Sequence, residues 1–197
     1  MTDAVDPTAS GVPDDAGRRS VVLIGAPGAG KSTVGQMVAK RLGLVFTDVD
    51  AVIEQRTGKQ ISEIFVDEGE AYFRDLERQV TLELLRGGGV VSLGGGAVMN
   101  PAIRDALAGH DVVWLKVSIT QATRRVGMNT LRPLLLGNVR SRLVALLKER
   151  TPVYEQCATL IIGTDGLKAR QAARQVVEAL TGSSEPSDAE DDADLPE

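Results

Sequence analysis

The stretch GAPGAGKST, residues 25–33, follows the apolar run SVVLIG (20–25) without a break. It leads straight into KSTVGQMVAKRLG (31–43), whose apolar spacing is helical. Gly25, Gly30, Lys31 and Ser32 fill the pattern G-x-x-x-x-G-K-[ST]. Glycines at these positions let the loop wrap, so that its backbone N–H groups converge on phosphate oxygens. The helix that follows adds a partial positive charge at the same spot. Gly28, Ala29, Gly30, Lys31, Ser32 and Thr33 are therefore candidate nucleotide contacts. Lys31 is expected to reach the β- and γ-phosphates, and the Ser32 hydroxyl to ligate Mg²⁺. A chance glycine-rich turn would not carry this spacing between a strand and a helix. The loop reads as a nucleoside triphosphate site.

Working outward, four further short apolar runs read as strands: LVFTDV (44–49), GVVSL (89–93), DVVWLKV (111–117) and ATLIIG (158–163). Their Val, Leu and Ile content suits strands covered on both faces. Helical patterns fill the gaps, including GEAYFRDLERQVTLELLRGGG (69–89), SITQATRRV (118–126) and LKARQAARQVVEAL (167–180). NPAIRDALAG (100–109) offers Asn100 as N-cap and Pro101 at the first helical position. Alternation of this kind implies an α/β fold, a five-stranded parallel sheet flanked by helices on both faces.

The 197 residues suit one domain. The first 19 and last 16 positions hold eleven of the 27 acidic residues but only two of the 22 basic ones. The net charge of −5 thus hides a body of 16 acids and 20 bases. A mildly basic body suits a phosphorylated or carboxylated small ligand, and lacks the clustered excess expected for nucleic acid. The first end is rich in Asp, Pro, Gly, Ser and Thr without periodicity, the last is the same kind of segment, and both are expected to be disordered, leaving residues 20–181 as the folded domain. No apolar run approaches the ~20 residues of a membrane span, the N-terminus has no signal pattern, and the single cysteine, Cys157, fits a reducing compartment. These features point to the cytoplasm. His110, the one histidine, reads as solvated or capping, Trp114 reads as a packing residue, and Cys157, after a short helix started by Thr151-Pro152, reads as core.

Two features lie at the ends of the inner strands. TDVD places Asp48 and Asp50 two residues apart, and strand periodicity would turn both to one side of the strand's carboxyl end. That edge is where open α/β sheets bind ligands. The third strand ends in Gly94, Gly95 and Gly96, either an inexpensive turn or a place where something approaches the backbone closely.

The phosphate loop, the DVD after strand two, the GGG after strand three, NTLRPLL (129–135) and ERTPVYEQCA (149–158) together resemble the shikimate kinases. The resemblance covers roughly residues 20–180. It implies a sheet order 2-3-1-4-5 and transfer of the γ-phosphoryl group of ATP to the 3-hydroxyl of shikimate, a step toward chorismate and the aromatic amino acids. It also implies a monomer. Arg74 and Arg150 match carboxylate-binding arginines, and a guanidinium fork pairs with a carboxylate bidentately; Arg74 can also pair with Glu77 at i,i+3, which would position it rather than neutralise it. Asp50 matches the residue placed to accept the attacking hydroxyl's proton, and Asp48 the carboxylate that reaches Mg²⁺. Gly94 to Gly96 would floor the acceptor site, with Pro27, Phe65 and Phe73 on its apolar side. GMNTLRPLLLGN, about 127–138, resembles a lid that brings Arg132 to the transferring phosphoryl group, and Arg125 matches a position that stacks on adenine. The chain departs from the family after its last strand, where IIGTDGLKARQAAR (161–174) has no proline, so the adenine contacts do not carry over and Lys168 stands in as a guess. Another small-metabolite kinase, such as a gluconate kinase, is the alternative. A regulatory module in which ATP drives protein binding is a third reading.

Overall fold

A computed structural model describes residues 19–128 and 136–183. The two expected tails fall almost wholly outside the described residues, as do Arg132 and most of the expected lid. The elements run β1 (Ser20–Ile24), α1 (Lys31–Leu42), β2 (Phe46–Asp48), α2 (Val49–Thr57), α3 (Ile61–Asp67), α4 (Gly69–Gly87), β3 (Gly89–Ser92), a 3₁₀ turn (Ala97–Met99), α5 (Pro101–Ala106), β4 (Asp111–Lys116), α6 (Ile119–Met128), α7 (Leu136–Cys157), β5 (Leu160–Gly163) and α8 (Ala169–Thr181). The five strands form one parallel sheet in the order β2-β3-β1-β4-β5. Class and order match the expectation from sequence.

Strand alternation divides the core into two layers. Val21, Leu23, Val113 and Leu115 face α1 and α8, meeting Val34, Val38, Ala173 and Val176. Val22, Ile24, Val91 and Trp114 face the other way, onto Ile53, Phe73, Val80 and Ile103 of α2, α4 and α5. A sheet buried on both sides needs apolar residues at every position, which is why β1 is buried throughout. The helix ends follow their residues: Gly43 closes α1 at φ 66°, and the Asn100 side chain accepts from Ala102 N–H to open α5.

Two local expectations are corrected. β2 is a three-residue edge strand of half-buried residues, and Leu44 and Val45 before it are exposed. An apolar run there does not mark a strand covered on both faces, because β2 has only one neighbour. Thr151-Pro152 does not begin a helix either: α7 runs through Pro152 to Cys157. Proline removes one backbone donor, but Val153, Tyr154 and Cys157 anchor the continuation on the core.

At the amino end of the sheet, His110 is a cap. Its Nδ1 accepts the backbone N–H of Ser20 at 3.0 Å, fastening the first residue of β1. Only neutral imidazole has that lone pair. Burial and the neighbouring Arg19 hold His110 below its ordinary 6.5, with Asp111 opposing. The unfolded chain therefore binds this proton more readily than the folded one, so the stabilisation is full above pH 6.5 and is lost as the pH falls below it. His110→Asn should flatten that part of the pH dependence, measured as urea midpoints of both proteins in steps down from pH 7.

Candidate active site

β1 is followed by Gly25, where φ is 144° and an added Cβ would lie 2.6 Å from the Leu115 carbonyl oxygen. No side chain fits between β1 and β4 here, so the chain can leave the sheet only through glycine. Gly28 and Gly30 also have positive φ, and Gly30 caps α1. The resulting loop turns back on itself, Ala29 N–H donating to Ala26 O at 3.1 Å, and leads directly into the N-terminus of α1. Lys31 Nζ donates to its own loop, to Gly25 O at 2.9 Å and Ala26 O at 3.2 Å. Burial pulls this lysine down to about 8, against the attraction of Asp50 and Asp48.

Ser32 Oγ donates to Asp48 Oδ2 at 2.8 Å. Asp48 is the last residue of β2 and the N-cap of α2, and its Oδ1 accepts from Asp50 N–H at 3.1 Å. Strand alternation does not bring the two aspartates together as expected, since Asp50 is already in the first turn of α2. The cap does so. Burial, then Asp48 and Glu77, push Asp50 up to about 6, with Lys31 opposing.

Arg74 and Glu77 lie one turn apart on α4 and form an ion pair of 2.7 Å, with Glu77 only 1% exposed. Glu70 holds the other side of the guanidinium at 3.2 Å, and the Phe73 ring lies beneath it, 5.2 Å from Cζ. Facing this pair is the triple glycine. A Cβ on Gly94 would run into Glu77 Oε1 and stand 3.1 Å from Asp50 Oδ1. One on Gly95 would stand 3.1 Å from Pro27 and 3.6 Å from Arg150 Nη1. One on Gly96 would lie 2.7 Å from Arg74 Nη1. At Gly94 and Gly96 the space is taken by the chain's own charged groups before any ligand is considered, whereas Gly95 is bounded more loosely, by Pro27. Phe73 is core and packs on Phe65 with centroids 4.6 Å apart.

Three atoms around these glycines are buried without a hydrogen-bond partner among the described residues: Asp50 Oδ1, Glu77 Oε1 and Arg150 Nε. They are two acceptors and one donor. The structure thus brings Lys31, Asp48, Asp50, Arg74, Gly94, Gly95, Gly96 and Arg150 to one crevice at the carboxyl edge of the sheet.

On the far side of the phosphate loop lies a cleft of about 290 Å³ lined by Ala29, Thr33, Arg125, Thr164, Leu167 and Ala169, among others. Arg125 is tied across it, donating to Gly28 O at 3.2 Å and to Thr164 O at 3.0 Å. Lys168 is the N-cap of α8 and is not part of the lining. Sequence reasoning missed Thr164 and Leu167, which sit in the loop between β5 and α8 without a motif, and Ala169, the first residue of α8. It also missed Tyr154, whose hydroxyl reaches Gly95 O, and gave Glu77 only a supporting part. The Arg-x-x-Glu spacing on α4 was the available signal for Glu77.

The family model for shikimate kinase matches residues 27–181. The chain is 52% identical over 164 residues to the shikimate kinase of Thermobifida fusca, covering 83% of this chain and 95% of that relative. It is 50% identical over 161 residues to the shikimate kinase of Mycobacterium avium, covering 81% and 92%. Among solved structures, shikimate kinase from Acinetobacter baumannii in complex with shikimate matches with a TM-score of 0.77 at 35% identity, over 83% of this chain and 94% of that one.

The glycine packing has a direct test. Gly96→Ala should push the Arg74 guanidinium away from Glu77 and lower stability by about 1–3 kcal/mol, read from urea unfolding. An unchanged midpoint would show that the pair does not depend on the bare backbone.

Proposed function

The chain belongs to the shikimate kinase family, and from that premise we propose that its crevice transfers the γ-phosphoryl group of ATP to the 3-hydroxyl of shikimate. The observation that carries this reading is the set of unpartnered buried atoms around the glycines. A cyclic, hydroxylated carboxylate supplies hydroxyl donors for Asp50 Oδ1 and Glu77 Oε1, and an anion for Arg150. Unmade hydrogen bonds in a buried site cost about 1–3 kcal/mol each, so a ligand that makes them gains both affinity and orientation.

In the proposed reaction the 3-hydroxyl oxygen attacks the γ-phosphorus, the bond from that phosphorus to the β,γ-bridging oxygen breaks, and ADP leaves. Asp50 orients the hydroxyl and takes its proton. The transition state is loose, so positioning and charge stabilisation do most of the work. Lys31 exchanges its loop carbonyls for β- and γ-phosphate oxygens. Arg74 and Arg150 hold the shikimate carboxylate, and Gly94, Gly95 and Gly96 floor the ring. Gly28, Ala29, Gly30, Ser32 and Thr33 surround the nucleotide phosphates. The cleft beside Arg125 receives adenine, with that arginine anchored to Gly28 and Thr164 at the cleft wall. Arg132, outside the described residues, keeps the role the family resemblance gives it, a positive charge on the transferring group.

Ser32 Oγ and Asp48 Oδ2, 2.8 Å apart, are hard oxygen donors that fit Mg²⁺ arriving with ATP. Bound there, the ion would neutralise charge on the β- and γ-phosphates. No group of three or more His, Cys, Asp or Glu among the described residues has metal-site geometry, which agrees with an ion held mainly by nucleotide and water. Phosphate loop, adenine cleft and acceptor crevice lie within one chain, which supports action as a monomer. Among the described residues no helix is long and apolar enough to cross a membrane, and use of ATP supports a cytoplasmic setting.

The test is ADP release with shikimate, gluconate and nucleoside monophosphates as acceptors. Turnover with shikimate is expected; turnover only with another acceptor would replace the reading. Arg74→Ala and Arg150→Ala should each raise KM for shikimate by at least tenfold or so, with KM for ATP within about twofold. Equal losses for both substrates would make these arginines structural.

A further inference from the structure

Tyr154 lies on α7 one turn after Arg150 and is 1% exposed. Its ring packs on Trp114 with centroids 5.9 Å apart, which fixes it against the sheet. Its hydroxyl donates to the carbonyl oxygen of Gly95 at 2.5 Å, and the Arg150 guanidinium, one turn earlier on α7, lies beside the same phenol. Burial raises the phenol above its ordinary 10, with Arg150 opposing, so it keeps its proton and remains a donor at neutral pH.

The bond to Gly95 has a geometric consequence. A trans peptide unit is planar, with its C=O and N–H directed to opposite sides, and there are no cis peptide bonds among the described residues. Holding the Gly95 carbonyl toward Tyr154 therefore turns the Gly96 N–H the other way. That N–H donates to no group among the described residues. Glycine alone resists such a rotation weakly, so without an external tether this peptide would be the least fixed part of the crevice.

We propose that Tyr154 is a positioning residue for the acceptor's carboxylate, its one hydroxyl fixing the Gly96 N–H and the Arg150 guanidinium relative to each other. It touches no substrate itself. The assignment rests on the shikimate kinase reading and adds a residue that acts through two others.

The experiment varies shikimate and ATP separately for the wild-type chain and Tyr154→Phe, which keeps the ring against Trp114 and removes only the oxygen. KM for shikimate should rise on the order of tenfold, as for loss of a buried hydrogen bond, while KM for ATP stays within about twofold. An unchanged shikimate KM, or both constants rising together, overturns the assignment. Absence of shikimate turnover by the wild-type chain overturns the proposed function, and this assignment with it. Should the Phe variant not fold, fluorotyrosine can be introduced in a Tyr72→Phe background, since the chain has two tyrosines and Tyr72 is exposed. The fluorinated phenol ionises sooner, so the shikimate KM should begin to rise at a lower pH than in the unlabelled protein, with the ATP profile unmoved. Coincident shikimate profiles overturn the assignment.

Discussion

α4 carries the carboxylate of Glu77 into the interior, where it is 1% exposed, and the acceptor end of the crevice is arranged around that burial. Burial alone pushes the group toward its neutral form; Arg74 and Arg150 pull it back. A buried ion pair gains only if its geometry is good and its remaining lone pairs are served. Glu77 meets the first condition with one oxygen, bonded to Arg74, and leaves the second without a partner among the described residues. The pair fits only because Gly94 and Gly96 present bare backbone to it. The approach of these α4 side chains to the turn after β3 thus uses two positions without a Cβ.

The influence of that carboxylate extends to the phosphate end. Glu77 and Asp48 both raise Asp50, and Asp50 in turn acts on Lys31. The lysine spends its donors on the carbonyls of Gly25 and Ala26, which are weaker partners than phosphate oxygens. An incoming triphosphate therefore draws Lys31 off its own loop and favours its charged form. The two subsites share one electrostatic field although they sit on different elements.

The frame of the molecule was legible because its signals are local. β1, the phosphate loop and α1 are contiguous in sequence, so a motif spans them. The alternation of apolar strands with amphipathic helices fixed the parallel sheet, and Asn100-Pro101 marked the start of α5. The readings that failed depended on neighbours in space. β2 looks like a buried strand because apolar content does not say how many partners a strand has. Asp48 and Asp50 were read as alternating along a strand, whereas the cap formed by Asp48 starts α2 between them. Pro152 looks like a helix start until the anchoring of Val153 and Tyr154 is known. Tyr154 itself carries no motif, since its role comes from a carbonyl 59 residues away.

Under the proposed function, the position of Asp50 matters more than its basicity. Its carboxyl is pushed up to about 6, so at neutral pH it is mostly ionised and can accept a hydrogen bond from a hydroxyl. A loose phosphoryl transfer asks little of a base until the new bond is largely made, so a strongly basic group would add little. What the reaction needs is one hydroxyl held in line with the phosphorus, and that requires a carboxylate whose own orientation is fixed. Asp48 fixes it from below by accepting from the Asp50 backbone, and the bare face of Gly94 lets Oδ1 approach from above. The same glycine admits Glu77, whose charge raises Asp50. Orientation and proton affinity of the proposed base thus both draw on one position where the chain has no side chain, together with the Asp48 cap and burial.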